Sequence, residues 1–131
     1  MDSRRDARSE SARGSQRGPR PKRSARAVLI LSAYPRRASA ERAARSLVRR
    51  RILACATVAS GARAFYRWSG RVRAEPSVLL WGKTSAARAA EAVRALRASH
   101  PDRVPEILVL PVQGGEPGYL RWLAGEVKRA R

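Results

Sequence analysis

The chain has 131 residues and 14.4 kDa, with 29 Lys and Arg against 10 Asp and Glu, a net charge of +19 and a pI near 11.9. Its length suits one domain, and because 24 of its apolar residues are alanine the core must be a thin two-layer one that a shared subunit interface would help to stabilise. No apolar run is longer than that of Ala27 to Leu31, which is far too short for a membrane-spanning helix. The single cysteine, Cys55, excludes an internal disulfide, and one Cys with one His cannot fill a four-ligand structural zinc site within one chain.

Residues 1–26 carry nine Lys and Arg against three acids, a net of +6, with no apolar residue beyond Met1 and three alanines. Such a segment cannot offset its ordering entropy, so it reads as a disordered basic tail suited to weak, salt-sensitive polyanion binding. The domain then occupies 27–131. The tail could be mistaken for the charged start of an export signal, but the apolar stretch Ala27 to Ala33 is short and leads into a patterned domain. An organelle transit peptide stays open on the Arg and Ser content, against Asp2, Asp6 and Glu10. The cysteine usage and the lack of a span read as an intracellular, cytoplasmic protein with no membrane partner.

Ala27 to Ser32 predicts a short strand. Tyr34-Pro35 turns the chain, Ser39 offers a cap, and Ala40, Ala43, Ala44, Leu47 and Val48 fall at helical spacing, predicting an amphipathic helix that ends near Arg51. Ile52 to Val58 and Arg63 to Trp68 predict one long strand bent at Ser60-Gly61. Ser69-Gly70 reads as a hairpin turn and Arg71 to Trp81 as the returning strand. Thr84 or Ser85 caps a second helix with the stripe Ala86, Ala89, Ala90, Val93 and Leu96, which His100-Pro101 stops. Glu106 to Val112 predicts a fourth strand and Gly114-Gly115 a turn. From Pro117 a last helix carries Leu120, Leu123, Ala124 and Val127 on one face. The order βαββαβ plus a helix, with short connections, predicts an α+β, ferredoxin-like antiparallel sheet.

Few residues can carry chemistry. Cys55, between Ala54 and Ala56 in a strand, reads first as a small buried hydrophobe and second as a thiolate metal ligand. His100 reads as a helix C-terminal residue, yet it is the only imidazole, and imidazole is the commonest Cu(II) and Zn(II) ligand. No acid pair, nucleophile–histidine pair or phosphate loop stands out, so catalysis is not expected. Arg63, Phe65, Tyr66, Arg67 and Trp68 interleave aromatics with arginines as single-strand-binding sheets do, which supports an alternative reading as a basic module for nucleic acid or another polyanion. Alternation also places Ala64, Tyr66 and Trp68 on one face and Arg63, Phe65 and Arg67 on the other, the pattern of an interface strand with a solvated side. Tyr119 and Trp122, one turn apart, are expected to pack on the sheet or on a neighbouring subunit. Lys83, following Leu79 to Trp81, is expected with Trp68 and Tyr119 to form an intersubunit pocket for a small anion or metabolite.

Several blocks in order, Ile52-Leu53-Ala54-Cys55-Ala56-Thr57, Gly61 to Arg71 through Phe65-Tyr66-Arg67-Trp68, Lys83-Thr84, His100-Pro101, Val104-Pro105-Glu106-Ile107, Leu110-Pro111-Val112 and Tyr119-Leu120-Arg121-Trp122-Leu123, together resemble the CutA family of divalent-cation tolerance proteins over about residues 27 to 131. The resemblance implies a ferredoxin-like protomer in a tight homotrimer built on its long hairpin strands, a likeness to the trimeric PII signalling proteins, a link to copper and other divalent metals, and no catalysed reaction. Phe65, Tyr66, Trp68, Trp81 and Trp122 then become expected trimer-interface residues. His100 matches the family's His-Pro pair, and it and Cys55 become the candidate contacts for Cu(II) or another divalent cation. The chain departs from the family pattern at Ser69, Asp102 and Gln113, and has Ser32 and Ser99 where some members have a Cys and a second His. Three copies at +19 each would carry about +57, which repels a free divalent cation and attracts polyanions.

Overall fold

Along β1 (Ala27–Tyr34) the side chains of Val28, Ile30, Ser32 and Tyr34 are buried while Leu29, Leu31 and Ala33 between them are only half-buried. This two-residue period gives the strand a helix-covered face and an open one. The computed structural model describes residues 26–128, so all of the expected basic tail except Arg26 lies outside the described residues. β1 runs two residues past its expected end because Ala33 and Tyr34 pair with Leu79 and Val78.

Helix α1 (Arg37–Arg49) starts a little earlier than expected. Arg36 is its N-cap, without a side-chain capping bond, so Ser39 lies inside the first turn and does not cap. The helix buries Ala40, Ala43 and Leu47. It ends in a paired closure in which the amides of Ile52 and Arg51 donate to the carbonyls of Leu47 and Val48, each at 3.0 Å, with Arg51 in the left-handed region at φ 58°. Ile52, Leu53 and Ala54, expected to open the next strand, form a buried connection instead.

β2 (Cys55–Trp68) and β3 (Arg71–Ser85) are one long antiparallel hairpin. Its register shifts between Ala59 and Ala62, where Gly61 takes φ 88° and Pro76, which lacks an amide donor, faces Arg63. Ser69 and Gly70, at φ 50° and 76°, make the two-residue turn whose twist matches the strands. β3 continues to Ser85 rather than stopping at Trp81, because Val78 to Ser85 pair with the whole of β1.

Helix α2 (Ala86–Ser99) buries Ala92 and Leu96, whereas Ala90, expected on its apolar stripe, is exposed. Ser85 occupies the N-cap without a side-chain bond, and Thr84 spends its hydroxyl on the Ile52 carbonyl at 2.6 Å. β4 (Ile107–Pro111) pairs with β1, and α3 (Pro117–Glu126) begins where the Glu116 carboxylate accepts the Tyr119 amide at 2.8 Å. The Gly118 and Tyr119 amides hold that carboxyl below its ordinary range.

The sheet order β2-β3-β1-β4, antiparallel at every step, is the split βαβ topology: an α+β, ferredoxin-like fold with one additional C-terminal helix. Helices α1 and α2 close the core with Ile30, Tyr34, Leu47, Leu80 and Leu96. A second cluster of Ala27, Ala54, Leu123 and Val127 seats α3 across the end of the sheet, where the Arg88 guanidinium ties α2 to the Val127 carbonyl at 3.0 Å. Among the described residues no helix is long and apolar enough to cross a membrane.

Candidate functional site

The open sheet face is built in rows. Register places Cys55, Lys83, Leu29 and Leu110 in one row and Thr57, Trp81, Leu31 and Leu108 in the next. α3 reaches over the first row, so that the Cys55 thiol and the Tyr119 hydroxyl stand 3.3 Å apart. The bond to Cys55, then partial burial, push the Tyr119 phenol up from 10.0 to about 12. Lys83 Nζ donates to Thr57 Oγ1 at 2.7 Å across the two rows. The Tyr119 ring meets Trp122 at 5.6 Å between centroids, with Trp122 still 45% exposed.

Of the three residues expected to share a pocket, Lys83 and Tyr119 therefore gather around Cys55. Trp68 does not: it pairs with Arg71 at the hairpin tip, thirteen positions beyond Cys55, on the order of 40 Å at ~3.3 Å per residue. Thr57 belongs to this group, and the local sequence held no signal for it beyond strand alternation.

Phe65, Tyr66 and Trp68 lie on an arm that leaves the sheet after the bulge. No residue from Arg63 to Pro76 is buried, and Phe65 is 70% exposed. Alternation runs as expected, with the Arg63 guanidinium 6.0 Å over the Phe65 ring on one face. On the other face Tyr66 donates to Glu75 at 3.0 Å, and that carboxylate raises the Tyr66 phenol above its ordinary value. Trp81 is half-buried in the open sheet face.

His100 has a different setting. Its imidazole is fully buried and stacks on Tyr34 at 4.2 Å between centroids and 25° between planes. Nε2 lies 2.8 Å from the Ala33 carbonyl and so donates to it, while Nδ1 accepts the Asp102 amide at 3.0 Å. Both ring nitrogens are thus used by a neutral Nε2–H imidazole, and no lone pair is left for a metal. Asp102, a departure from the family pattern, acts here through its backbone. Ser32, another, donates to the Glu106 carbonyl at 2.8 Å. The Tyr34 hydroxyl is buried with no hydrogen-bond partner among the described residues, and burial pushes its phenol up, opposed by the Ser32 side chain.

Among the described residues no three His, Cys, Asp or Glu side chains converge as a metal-ligand set. Among the described residues one subunit offers a single accessible soft donor, Cys55, and these residues do not by themselves fit a bound divalent ion.

Residues 28–126 match the family model described as CutA1 divalent ion tolerance protein. The chain belongs to this family. The divalent-cation tolerance protein CutA of Pectobacterium atrosepticum is 38% identical over 102 residues, covering 78% of this chain and 93% of that one. The crystal structure of CutA from Xylella fastidiosa superimposes with a TM-score of 0.75 at 38% identity, covering 78% of this chain and 98% of that one. The protein of Archaeoglobus fulgidus, described as a periplasmic divalent cation tolerance protein CutA, has the same TM-score of 0.75 at 25% identity, covering 78% and 99%. The CutA match extends over the sheet from Val28 onward and the whole of α3, so it includes the Cys55, Lys83 and Tyr119 cluster as well as the arm.

Proposed function

We propose that this CutA-family chain is a non-catalytic subunit of a cytoplasmic homotrimer, a scaffold or sensor that serves tolerance to copper and other divalent metals. The observation that carries the assembly is the arm. A two-stranded ribbon is marginal in water by itself, and this one holds Phe65, Trp68 and Val72 at 70%, 58% and 66% exposure, with Phe65 covered only in part by the Arg63 guanidinium. Leu108 and Leu110 extend the same uncovered apolar surface along the open sheet face. Identical copies meeting through these faces would cover Phe65, Tyr66, Trp68, Trp81 and Trp122 together. They would also bring a neighbour's Trp68 within reach of Lys83 and Tyr119, which is the condition for the intersubunit anion pocket. Within this reading Cys55 is the point of contact with copper and His100 keeps its structural task.

Light scattering coupled to gel filtration tests the assembly. Three copies of 14.4 kDa give about 43 kDa, and a species of one subunit's mass at micromolar concentration would remove the trimer and the pocket with it. Calorimetric titration with Cu(II) tests the contact: Cys55→Ser is expected to lose the tight phase, and an unchanged isotherm would take Cys55 out of the reading.

A further inference from the structure

Helix α1 presents a ridge of arginine on its outer side. Arg42, Arg45, Arg49 and Arg50 are all exposed and, with Ser46, line a shallow groove of about 320 Å³. The only acid on the helix, Glu41, is held by Arg37 at 3.2 Å. None of the ion pairs among the described residues involves the four arginines of the groove. Uncompensated like charges at helical spacing repel by a few tenths of a kcal/mol per pair, so the ridge costs the free protein stability that a bound polyanion would restore. The ridge faces away from the core stripe Ala40, Ala43 and Leu47, on the opposite layer from the open sheet face, so covering that face with other subunits leaves it accessible.

We infer that this ridge is a docking site for the phosphate backbone of duplex nucleic acid, read without regard to sequence. From Arg42 to Arg49 the helix rises about 10 Å, the length over which one strand of a duplex presents about three phosphates at ~3.4 Å each. Arginine supplies the planar fork that grips phosphate oxygens in pairs, and the Ser46 hydroxyl adds the neutral donor common in backbone contacts. A bilayer is the poorer partner, because the apolar stripe that an interfacial helix sinks into lipid is here already buried in the core. A single strand is poorer too, because no aromatic residue lines the groove for bases to stack on.

The test uses the full chain, a labelled 20-base-pair duplex of mixed sequence and fluorescence anisotropy across a salt series. The triple variant R42Q/R45Q/R49Q is expected to flatten the slope of log affinity against log salt by about 2 to 3, at ~0.9 per lost phosphate contact. A charge-matched control, R94Q/R97Q/R103Q, removes three exposed arginines elsewhere and is expected to change the slope by less than about 1. R42K/R45K/R49K, which keeps charge and helix, is expected to retain the parental slope with affinity lowered a few-fold. An unchanged slope in the glutamine triple would place all binding in the tail and overturn the ridge. Equal losses in the two glutamine triples would reduce the effect to net charge and do the same. Binding to phosphatidylserine vesicles that depends on the ridge, with duplex binding that does not, would overturn the inference in favour of a lipid surface.

Discussion

Cys55 and Tyr119 are 64 positions apart in the chain and 3.3 Å apart in space. Their contact fixes the direction of a pH effect. The phenol at about 12 in the fold, against 10.0 when free, favours its protonated form in the native state. Whatever stability the contact contributes is therefore complete below pH 10 and is lost as pH rises from 10 through 12. Since Tyr34 and Tyr66 are raised as well, an ultraviolet phenolate titration is expected to show none of the three tyrosines ionising at the ordinary value. Cys55→Ala is expected to bring one tyrosine back toward 10, and an unmoved titration curve would mean that the bond does not hold the proton. This contact was illegible in the sequence, because a strand residue and a helix residue so far apart carry no mutual periodicity. The same holds for His100. Its place before Pro101 marked a helix end, but its two hydrogen bonds come from the Ala33 carbonyl and the Asp102 amide, and backbone groups leave no trace in residue identity.

At the scale of elements, the strand and helix order was legible wherever a turn residue with a physical job stood between periodic stretches. Ser69-Gly70 marked the hairpin and Pro117 the last helix start. Boundaries were less so: β3 passes through Gly82-Lys83-Thr84-Ser85, which reads as a polar break until pairing with β1 is known. The phase of α2 was blurred because alanine takes seven of its fourteen positions, and so weak an apolar signal pointed to Ala90 where packing chose Ala92. Gly82 also shows what the packing demands. A Cβ there would lie 2.9 Å from both Leu53 methyl carbons, and Leu53 is 1% exposed with little room to retreat. Gly82→Ala is expected to destabilise the fold by about 1–3 kcal/mol, seen as a lowered urea midpoint, and an unaltered midpoint would show that the Leu53 connection yields freely.

For the whole molecule, composition pointed to a thin core that a subunit interface would help to stabilise, and the protruding arm is the surface on which the proposed assembly can be tested. The double substitution Phe65→Asp and Trp68→Asp replaces its two most apolar tips with charge while leaving the helix-covered core untouched. In the proposed trimer it is expected to replace a species of about 43 kDa, three times 14.4 kDa, with single subunits that keep their far-ultraviolet circular dichroism. Retention of the larger mass would move the contact to another surface. The arginine ridge belongs to α1 and the arm to the far end of the β2–β3 hairpin, so loss of one is expected to leave the other's behaviour intact.

The sheet order carries one more consequence, for the ribosome. β1 is the second strand from an edge, and its two flanking neighbours, β3 and β4, are synthesised long after it, with β4 ending only at Pro111. During translation the earliest strand has both hydrogen-bonding edges empty until β3 is made and one of them empty until β4 is made, while the hairpin between can zip locally. The pairings that complete the sheet, β1 with β3 and β1 with β4, are remote in sequence, so the sheet closes only after the hairpin has formed and β4 has been made.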